Sequence, residues 1–486
     1  MGVIFSQSAK NLSTTYAGFG IGAINTLFLY THFLTPEYYG LVGFLLSAAN
    51  LIWPLMAFGV HNTLVKFYTA YSQEEERDKL LTMILFLPLG ISAILGGLGF
   101  FAYDLILDYF SDGNELVQPY VWLIFLIAVA TAYFEIFFSW AKIHLHTVFG
   151  NFMKEVFHRL GISCLLLLVY LDVLAIQGFI YALGGLFLIR MLLMKWYAFR
   201  LRFPTLHFSL PAKTSEILKY SVLILVAGSV AMVLLDLDKV MIERYLPIEM
   251  VAVYGIAIYI SSVIAVPSRA MHQITYPMTA TLLNQKDKQG LKDLYRKSSL
   301  TLLLVSGLIF LLIITNIRQI YQLIPAVYSI SPLIIVLISL VKLYDNLLGN
   351  NNAILFNSDY YRLVLGIGVL LAGLAFTLNI LLIPRLELFG AALATFAAFA
   401  CYNTTKLVVV FRKFRIHPFS RSTFSGLALI VLLGVLFYFW DFAFHPVISI
   451  ILKSGLLSLV YLTLIYRLGL SEDINERLRK IFQTLW

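Results

Sequence analysis

The sequence predicts an all-α integral membrane protein with about fourteen transmembrane helices. Three observations predict it. Charged residues make up 13% of the chain and hydrophobic ones 60%, whereas a soluble domain carries about 25% charged residues. Apolar runs recur from end to end, each near the roughly 20 residues a helix needs to cross a bilayer. Basic residues collect in alternate connections, as the positive-inside rule requires of a multi-pass protein.

The expected spans cover residues 12–34, 40–61, 80–103, 116–140, 156–171, 176–199, 215–236, 250–272, 298–316, 328–348, 360–383, 389–411, 423–444 and 446–466. The first is too long for the core of a signal peptide and lacks a small-residue cleavage site, so it should stay in the protein. The fifth is short, and prolines at 267 and 277 should kink the eighth, which can run past the second of them. One set of connections carries Lys66, Arg77 and Lys79, then Lys142, Lys154 and Arg159, then the stretch from Arg190 to Lys219. Further along it holds Lys286 to Lys297, Arg412 to Arg421 and the tail. The other set holds TPEYY, DLILDYFSDGNEL, LDVLAIQ and PRLEL. This asymmetry places both termini in the cytoplasm. The net charge of +9 therefore describes membrane flanks, not a nucleic-acid surface.

Connections are too short for a soluble domain of about 50 residues. The longest, RLRFPTLHFSLPAKTSEILKY, reads as a cytoplasmic linker between halves. The tail carries Ile474, Leu478, Ile481 and Phe482 at amphipathic spacing, which suits either a surface helix or a solvated end. Cys164 and Cys401 both lie in apolar runs, so no disulfide framework or metal cluster is expected. No phosphate-binding glycine loop or His-Glu-x-x-His motif occurs. No cofactor is expected.

The stretch around LDLDKVMI stands out. It sets Asp236, Asp238 and Lys239 at the end of one apolar run, and the next run contains Arg269 and His272. A charge at mid-bilayer costs roughly 2.5–3.5 kcal/mol on insertion scales, so it must face a partner or a wet cavity. Asp236, Asp238 and Lys239 should form an ion-paired cluster at the outer interface. Polar and small residues also fall in stripes. Asn11, Gly18, Asn25 and His32 share one face of the first span; Gly43, Ser47, Asn50, Pro54 and His61 approximately share one face of the second. Ser221, Ser229 and Asp236 mark the seventh, and Tyr254, Ser261, Arg269 and His272 the eighth. Such stripes serve either close helix packing or a common cavity. Glu135, Arg190, Lys342 and Asp345 are further charges within spans. Arg190 and Lys195 should snorkel towards a cytoplasmic end, Lys342 and Asp345 are spaced to pair with each other, and Glu135 and Asp345 are candidates for ion coupling. Asp104, Asp108 and Asp112 form an acidic outer loop.

A faint repeat supports two related halves. FLTPEYYGLVGFLLSAANLIWPLMAFGVHN and YLPIEMVAVYGIAIYISSVIAVPSRAMHQ each run from a proline turn through Tyr-Gly to an interrupted span ending near histidine. LDLDKVMI, VAVYGIAIYI and Pro267 to Arg269 resemble the seventh and eighth helices of the polysaccharide flippases, the oligosaccharide-lipid branch of the multidrug/oligosaccharidyl-lipid/polysaccharide exporter superfamily. THFLTPEYYGLVGF, FGVHNTLVKFY and IPRLELFGAALATFAAF are similar to further stretches of that family. The resemblance implies two six-helix lobes, 1–212 and 213–412, around a central cavity, with two extra helices and a tail in 413–486. It implies a rocking motion that carries a polyprenyl-diphosphate-linked glycan from the inner to the outer leaflet of the bacterial cytoplasmic membrane, for surface polysaccharide or O-antigen assembly. Its first, second, seventh and eighth helices would line the cavity.

On that reading Arg269 is the main ligand of the diphosphate, a guanidinium being shaped for charge-assisted bonds to phosphate. His272, His61 and Lys66 are secondary, and Asn25, Asn50, Ser47 and Ser261 are candidates for sugar hydroxyls. Pairing of Arg269 with a carboxylate is the structural alternative. The branch that flips the peptidoglycan precursor has cavity arginines in its first two helices. Here no Lys or Arg lies between Asn11 and Asn62, which disfavours that cargo. Candidate partners are the lipid-linked oligosaccharide, membrane lipids and a polysaccharide polymerase, with no nucleic acid. The rivals are a cation-coupled drug antiporter of the same superfamily and an integral-membrane glycosyl- or acyltransferase using Asp104 and Asp108. The charge pattern makes one prediction directly. Fluorescent-protein fusions after residue 486 and in the 202–213 linker should fluoresce, and alkaline phosphatase fused there should be inactive; the reverse result would invert the topology.

Overall fold

The computed structural model describes residues 2–111, 114–472 and 474–476. Asp112 and the tail residues Leu478, Ile481 and Phe482 lie outside the described residues. The regular secondary structure of the described residues is all helical, with no strand. Nine helical stretches among them are long and apolar enough to cross a bilayer. One of these, Arg362–Phe414, holds two of the expected spans: Glu387, at φ 51°, breaks the helix between them. The first, fifth, seventh and tenth expected spans are helical as well, but shorter, interrupted or more polar.

Local chemistry sets the boundaries. Pro36, Pro332 and Pro446 open their helices at the first turn, where a missing N–H costs nothing. Glu74, Glu75 and Glu76 occupy the first turn of Glu74–Phe101, where carboxylates favour the positive end of the helix dipole. Asp287 accepts from the amide of Gly290 at 2.9 Å and caps Lys288–Thr315. Ser420 and Thr423 cap Arg421–Tyr438 reciprocally.

Breaks are equally specific. Helix Pro36–Ala57 stops where Phe58 and Gly59 turn left-handed, and Val60–Tyr68 resumes beyond. A Cβ at Gly59 would lie 2.3 Å from the carbonyl oxygen of Ser221, so strain and space both require glycine there. The eighth span runs as Glu249–Ser262, a 3-10 turn at Val263–Ala265, and Val266–Asn284. It passes Pro277 without ending, as the sequence allows.

The chain forms two compact units, Met1–Gly255 and Ile256–Trp486. Thr214–Tyr245 belongs to the first of these units, packing on Pro36–Ala57 and Val60–Tyr68. The first unit has a core of Val60, Leu64, Leu80, Phe134, Trp140, Met194 and their neighbours. In the second, Leu291, Tyr295, Ile354, Val364 and Val410 form one core cluster.

A polar clasp ties the connection between the last two helices to the 315–319 segment within the second unit. Lys453, 1% exposed, donates to Asp441 at 2.8 Å and to the carbonyl of Thr315 at 2.6 Å. Gln319 also donates to Asp441, at 2.6 Å. Asp441 lies in the 439–445 connection, outside the spanning helices. Burial alone would push its carboxyl up, but the hydrogen bonds from Lys453 and Gln319 and the charges of Lys453 and Arg318 outweigh this and hold it below the usual carboxylate range. A depressed folded-state value stabilises the protein above the unfolded-state value, and that contribution is lost as pH falls through the folded one. Asp441→Asn should therefore lower the thermal midpoint in detergent at pH 7, and its deficit against wild type should shrink as pH falls below about 4. A deficit independent of pH would refute the clasp's ionic character.

Candidate functional site

The polar stripes do different work. In the first span Asn11 donates to Thr147 at 3.0 Å and accepts at its carbonyl from Asn151. A Cβ at Gly18 would sit 2.4 Å from the carbonyl oxygen of Glu155. Asn25, 3% exposed, donates to the carbonyl of Arg159 at 2.8 Å and accepts from Ser163 at 2.6 Å. Asn11, Gly18 and Asn25 therefore form a close-packed seam against residues 147–163, while His32 is exposed and bonds the carbonyl of Phe28 on its own helix. A sugar hydroxyl would have to displace those bonds to reach Asn25.

The stripes of the second and seventh spans meet. Asp236 is the hub, a buried carboxylate that accepts from Ser47 at 2.9 Å and from Asn50 at 3.2 Å. Lys239 stands 3.5 Å away as its ion-pair partner. Sixteen residues beyond Asp238, Tyr254 of the eighth span donates to Asp238 at 2.9 Å. Nearer the other end of the seam, Thr63 bonds Ser221 at 2.8 Å. The expected Asp236–Lys239 ion pair is present, and its carboxylate also recruits both second-span polar residues proposed for sugar binding.

A second cluster lies around Glu135. This buried carboxylate accepts from Lys154 at 2.5 Å, and Lys142 and His61 are within electrostatic reach of it. The His61 ring lies tilted 5.5 Å from that of Trp53 and bonds Asn62 through Nε2, while its Nδ1 is buried without a partner. Lys66 is exposed, with its ammonium 3.8 Å from the ring centroid of Tyr220. Arg190 corrects an expectation: it does not snorkel. It is buried, 4.3 and 4.7 Å from the rings of Phe134 and Phe187, where cation–π attraction replaces part of its hydration.

The second unit has its own cluster. Asp345 pairs with Lys406 at 3.6 Å, and Lys342 stands 5.4 Å from the ring of Phe399. Lys406 is buried and also donates to Asn352 at 2.9 Å. His272 packs edge-on against Tyr276 within electrostatic reach of Asp345. Ser261 accepts from Ser339 at 3.1 Å. Arg269 lies on the exposed side of Val266–Asn284, away from the buried Ser268, Thr275 and Thr279. Asp104 and Asp108 are exposed on Tyr103–Ser111.

Lys154, Lys406 and Lys453 are partners the sequence reading passed over. The criterion that singled out Arg269, a charge inside an apolar run, also marks Lys406 and Lys453. Asn351 and Asn403 are buried with both amide atoms unpartnered, and the Asn350–Asn352 run was a visible signal for the first of them.

Spanning helices interrupted by prolines and left-handed turns, with charges paired inside the protein, are the features of a polytopic transporter fold. The chain is similar to the lipid II flippase MurJ in its inward closed conformation, with TM-score 0.70 and 15% identity over 95% of this chain and 99% of the other. It is similar to an inward-facing multidrug resistance MATE family transporter of the MOP superfamily, with TM-score 0.62 and 14% identity over 88% and 96%. A Vibrio cholerae MATE transporter gives TM-score 0.55 and 12% identity over 85% and 97%. These likenesses establish the fold. Residues 8–283 match the polysaccharide biosynthesis protein family, and the chain belongs to that family. No curated protein sequence matches it.

The Asp236 hub is open to a direct test. If Ser47 and Asp236 share one bond, Ser47→Ala and Asp236→Asn should be non-additive in thermal stability, with a coupling on the order of 1 kcal/mol, as for interhelical bonds in membranes. Additive effects would show that the two residues act separately.

Proposed function

We propose that this chain is a flippase that moves a polyprenyl-diphosphate-linked oligosaccharide from the inner to the outer leaflet for surface polysaccharide or O-antigen assembly. Membership of the polysaccharide biosynthesis family carries the reading. A lipid-linked glycan brings a diphosphate and many hydroxyls, neither of which crosses hydrocarbon unaided. The lipid tail stays in the bilayer while the head passes by alternating access of the two lobes. The protein transports and makes no covalent change to its cargo. It works in the bacterial inner membrane with both termini cytoplasmic, where a polysaccharide polymerase would consume what it delivers.

Arg269 is the residue proposed to grip the diphosphate. It is exposed on a spanning helix, and its guanidinium can give two parallel charge-assisted bonds to one phosphate. His272, one turn on, stands beside it on the same helix. Lys66 and His61 are proposed to meet the cargo from the second span. Asn50 and Ser47 reach sugar hydroxyls only if the bonds to Asp236 open, and Asn25 and Ser261 likewise only if their present partners release them.

A cation-coupled drug antiporter is the second reading. The MATE-like fold and the basic-partnered carboxylates Glu135 and Asp345 favour it. In either reading those two carboxylates are the proposed coupling groups, because a proton or cation that binds one must release its lysine.

Charge reversal separates the readings. Arg269→Glu should abolish surface polysaccharide in a deletion host and cause lipid-linked saccharide to accumulate. Arg269→Lys should retain partial function. Losing one charge-assisted bond of about 1.5–3 kcal/mol corresponds to roughly 10–150-fold weaker binding. Normal polysaccharide with altered drug tolerance in Arg269→Glu would sink the flippase and support the antiporter.

A further inference from the structure

The helix Ile176–Leu201 ends in a groove that none of the transport chemistry uses. Its volume is 390 Å³, and Leu192, Lys195, Trp196, Phe199, Arg200 and Phe203 line it. At helical spacing, Leu192, Trp196 and Phe199 form one stripe, with Lys195 on one flank and Arg200 on the other. The stripe is open: Leu192 is 52% exposed, Trp196 58% and Phe203 75%.

The two flanking cations are held over aromatic rings. The guanidinium of Arg200 lies 5.6 Å from the ring of Trp196, and the ammonium of Lys195 lies 5.5 Å from that of Phe199. Among the described residues neither has a carboxylate partner. Arg202, two residues beyond Arg200, is the contrast, because Asp78 at 2.6 Å and Glu74 at 3.2 Å neutralise it. The charge left over is therefore concentrated at the groove.

The segment that follows extends the same surface. Phe208 and Leu210 are 76% and 70% exposed. Their backbone is not loose: His207 N–H donates to Thr82 at 3.0 Å, and Ala212 N–H donates to Glu76 at 2.6 Å. Apolar side chains held outward by an anchored backbone need an apolar neighbour. By the charge pattern of the connections, this surface lies at the cytoplasmic side, where aromatic rings and basic side chains meet lipid headgroups.

We propose that this groove binds the headgroup of an anionic phospholipid of the inner leaflet. One acyl chain lies along Leu192, Trp196 and Phe199, and the phosphate sits between Lys195 and Arg200. Compensation of the helix dipole would explain a basic residue near a helix end. It does not explain a groove lined with aromatic rings between two unneutralised cations. The proposal stands apart from the flippase reading and survives its failure.

The full chain, reconstituted in phosphatidylcholine vesicles, tests it. The fluorescence of Trp196, isolated by subtracting Trp196→Phe, should be quenched more strongly by brominated phosphatidylglycerol than by brominated phosphatidylcholine at equal mole fraction. Lys195→Gln with Arg200→Gln should lower that preference by roughly tenfold at low salt, two basic groups at an anionic surface being removed. Unchanged circular dichroism and elution profile would certify the double variant as folded. Lys195→Arg with Arg200→Lys, which keeps both charges, should retain the preference. Equal quenching by the two lipids, or a preference that survives in the double Gln variant, would overturn the proposal. Displacement of brominated phosphatidylglycerol by stoichiometric undecaprenyl diphosphate would also overturn it, assigning the groove to the cargo's headgroup.

Discussion

A charge inside hydrocarbon has no water to turn to, so it must find an opposite charge, a dipole or a ring within the protein. Asp236 draws in Ser47, Asn50 and Lys239. Glu135 takes Lys154, and Asp345 takes Lys406. Asp441 takes Lys453 and Gln319. Asp236 with Ser47, Asp345 with Lys406 and Asp441 with Gln319 tie together segments distant in sequence, while Glu135 with Lys154 joins nearer ones. In this chain the cost of burying charge is offset by interhelical bonds, and those bonds decide which helices are neighbours.

The same rule explains why the seventh expected span clusters with the first unit. Apolar packing alone distinguishes poorly between partners in lipid, because lipid tails are as apolar as leucine. Directional bonds distinguish well. Ser47, Asn50 and Thr63 of the second span meet Asp236 and Ser221 of Thr214–Tyr245, and Gly59 lets the two backbones approach. Interruptions of the helices follow a related logic. The left-handed turn at Phe58–Gly59, the 3-10 turn at Val263–Ala265 and the break at Glu387 bend the spans without leaving the fold. Such breaks are the places where a transporter can flex while its packed segments stay rigid.

The charged members of the candidate site were legible because a charge in an apolar run is conspicuous. Glu135, Asp236, Arg269 and Asp345 all stand out in that way. Their partners were harder to read. Asp345 pairs with Lys406, which lies far along the chain and which no local spacing pointed to. Arg190 lies near a helix end, which suggested snorkelling, but Phe134 and Phe187 hold its guanidinium inside. The seven-residue stripe of the first span was equally consistent with packing and with a cavity. Its Asn11, Gly18 and Asn25 settle on residues 147–163, where Asn25 is consumed by Arg159 and Ser163.

Composition, run length and charge asymmetry by themselves determined an all-helical multi-pass protein, and short motifs pointed to the polysaccharide family to which it belongs. These are properties of single helices and of local segments, set by the thickness of the bilayer and the cost of moving charge across it. Only the tertiary structure decided which buried groups meet. The reason is that a hydrogen bond or ion pair needs two groups within about 3–4 Å, and the sequence distance between Glu135 and Lys154, Asp236 and Ser47, or Asp345 and Lys406 carries no record of that proximity.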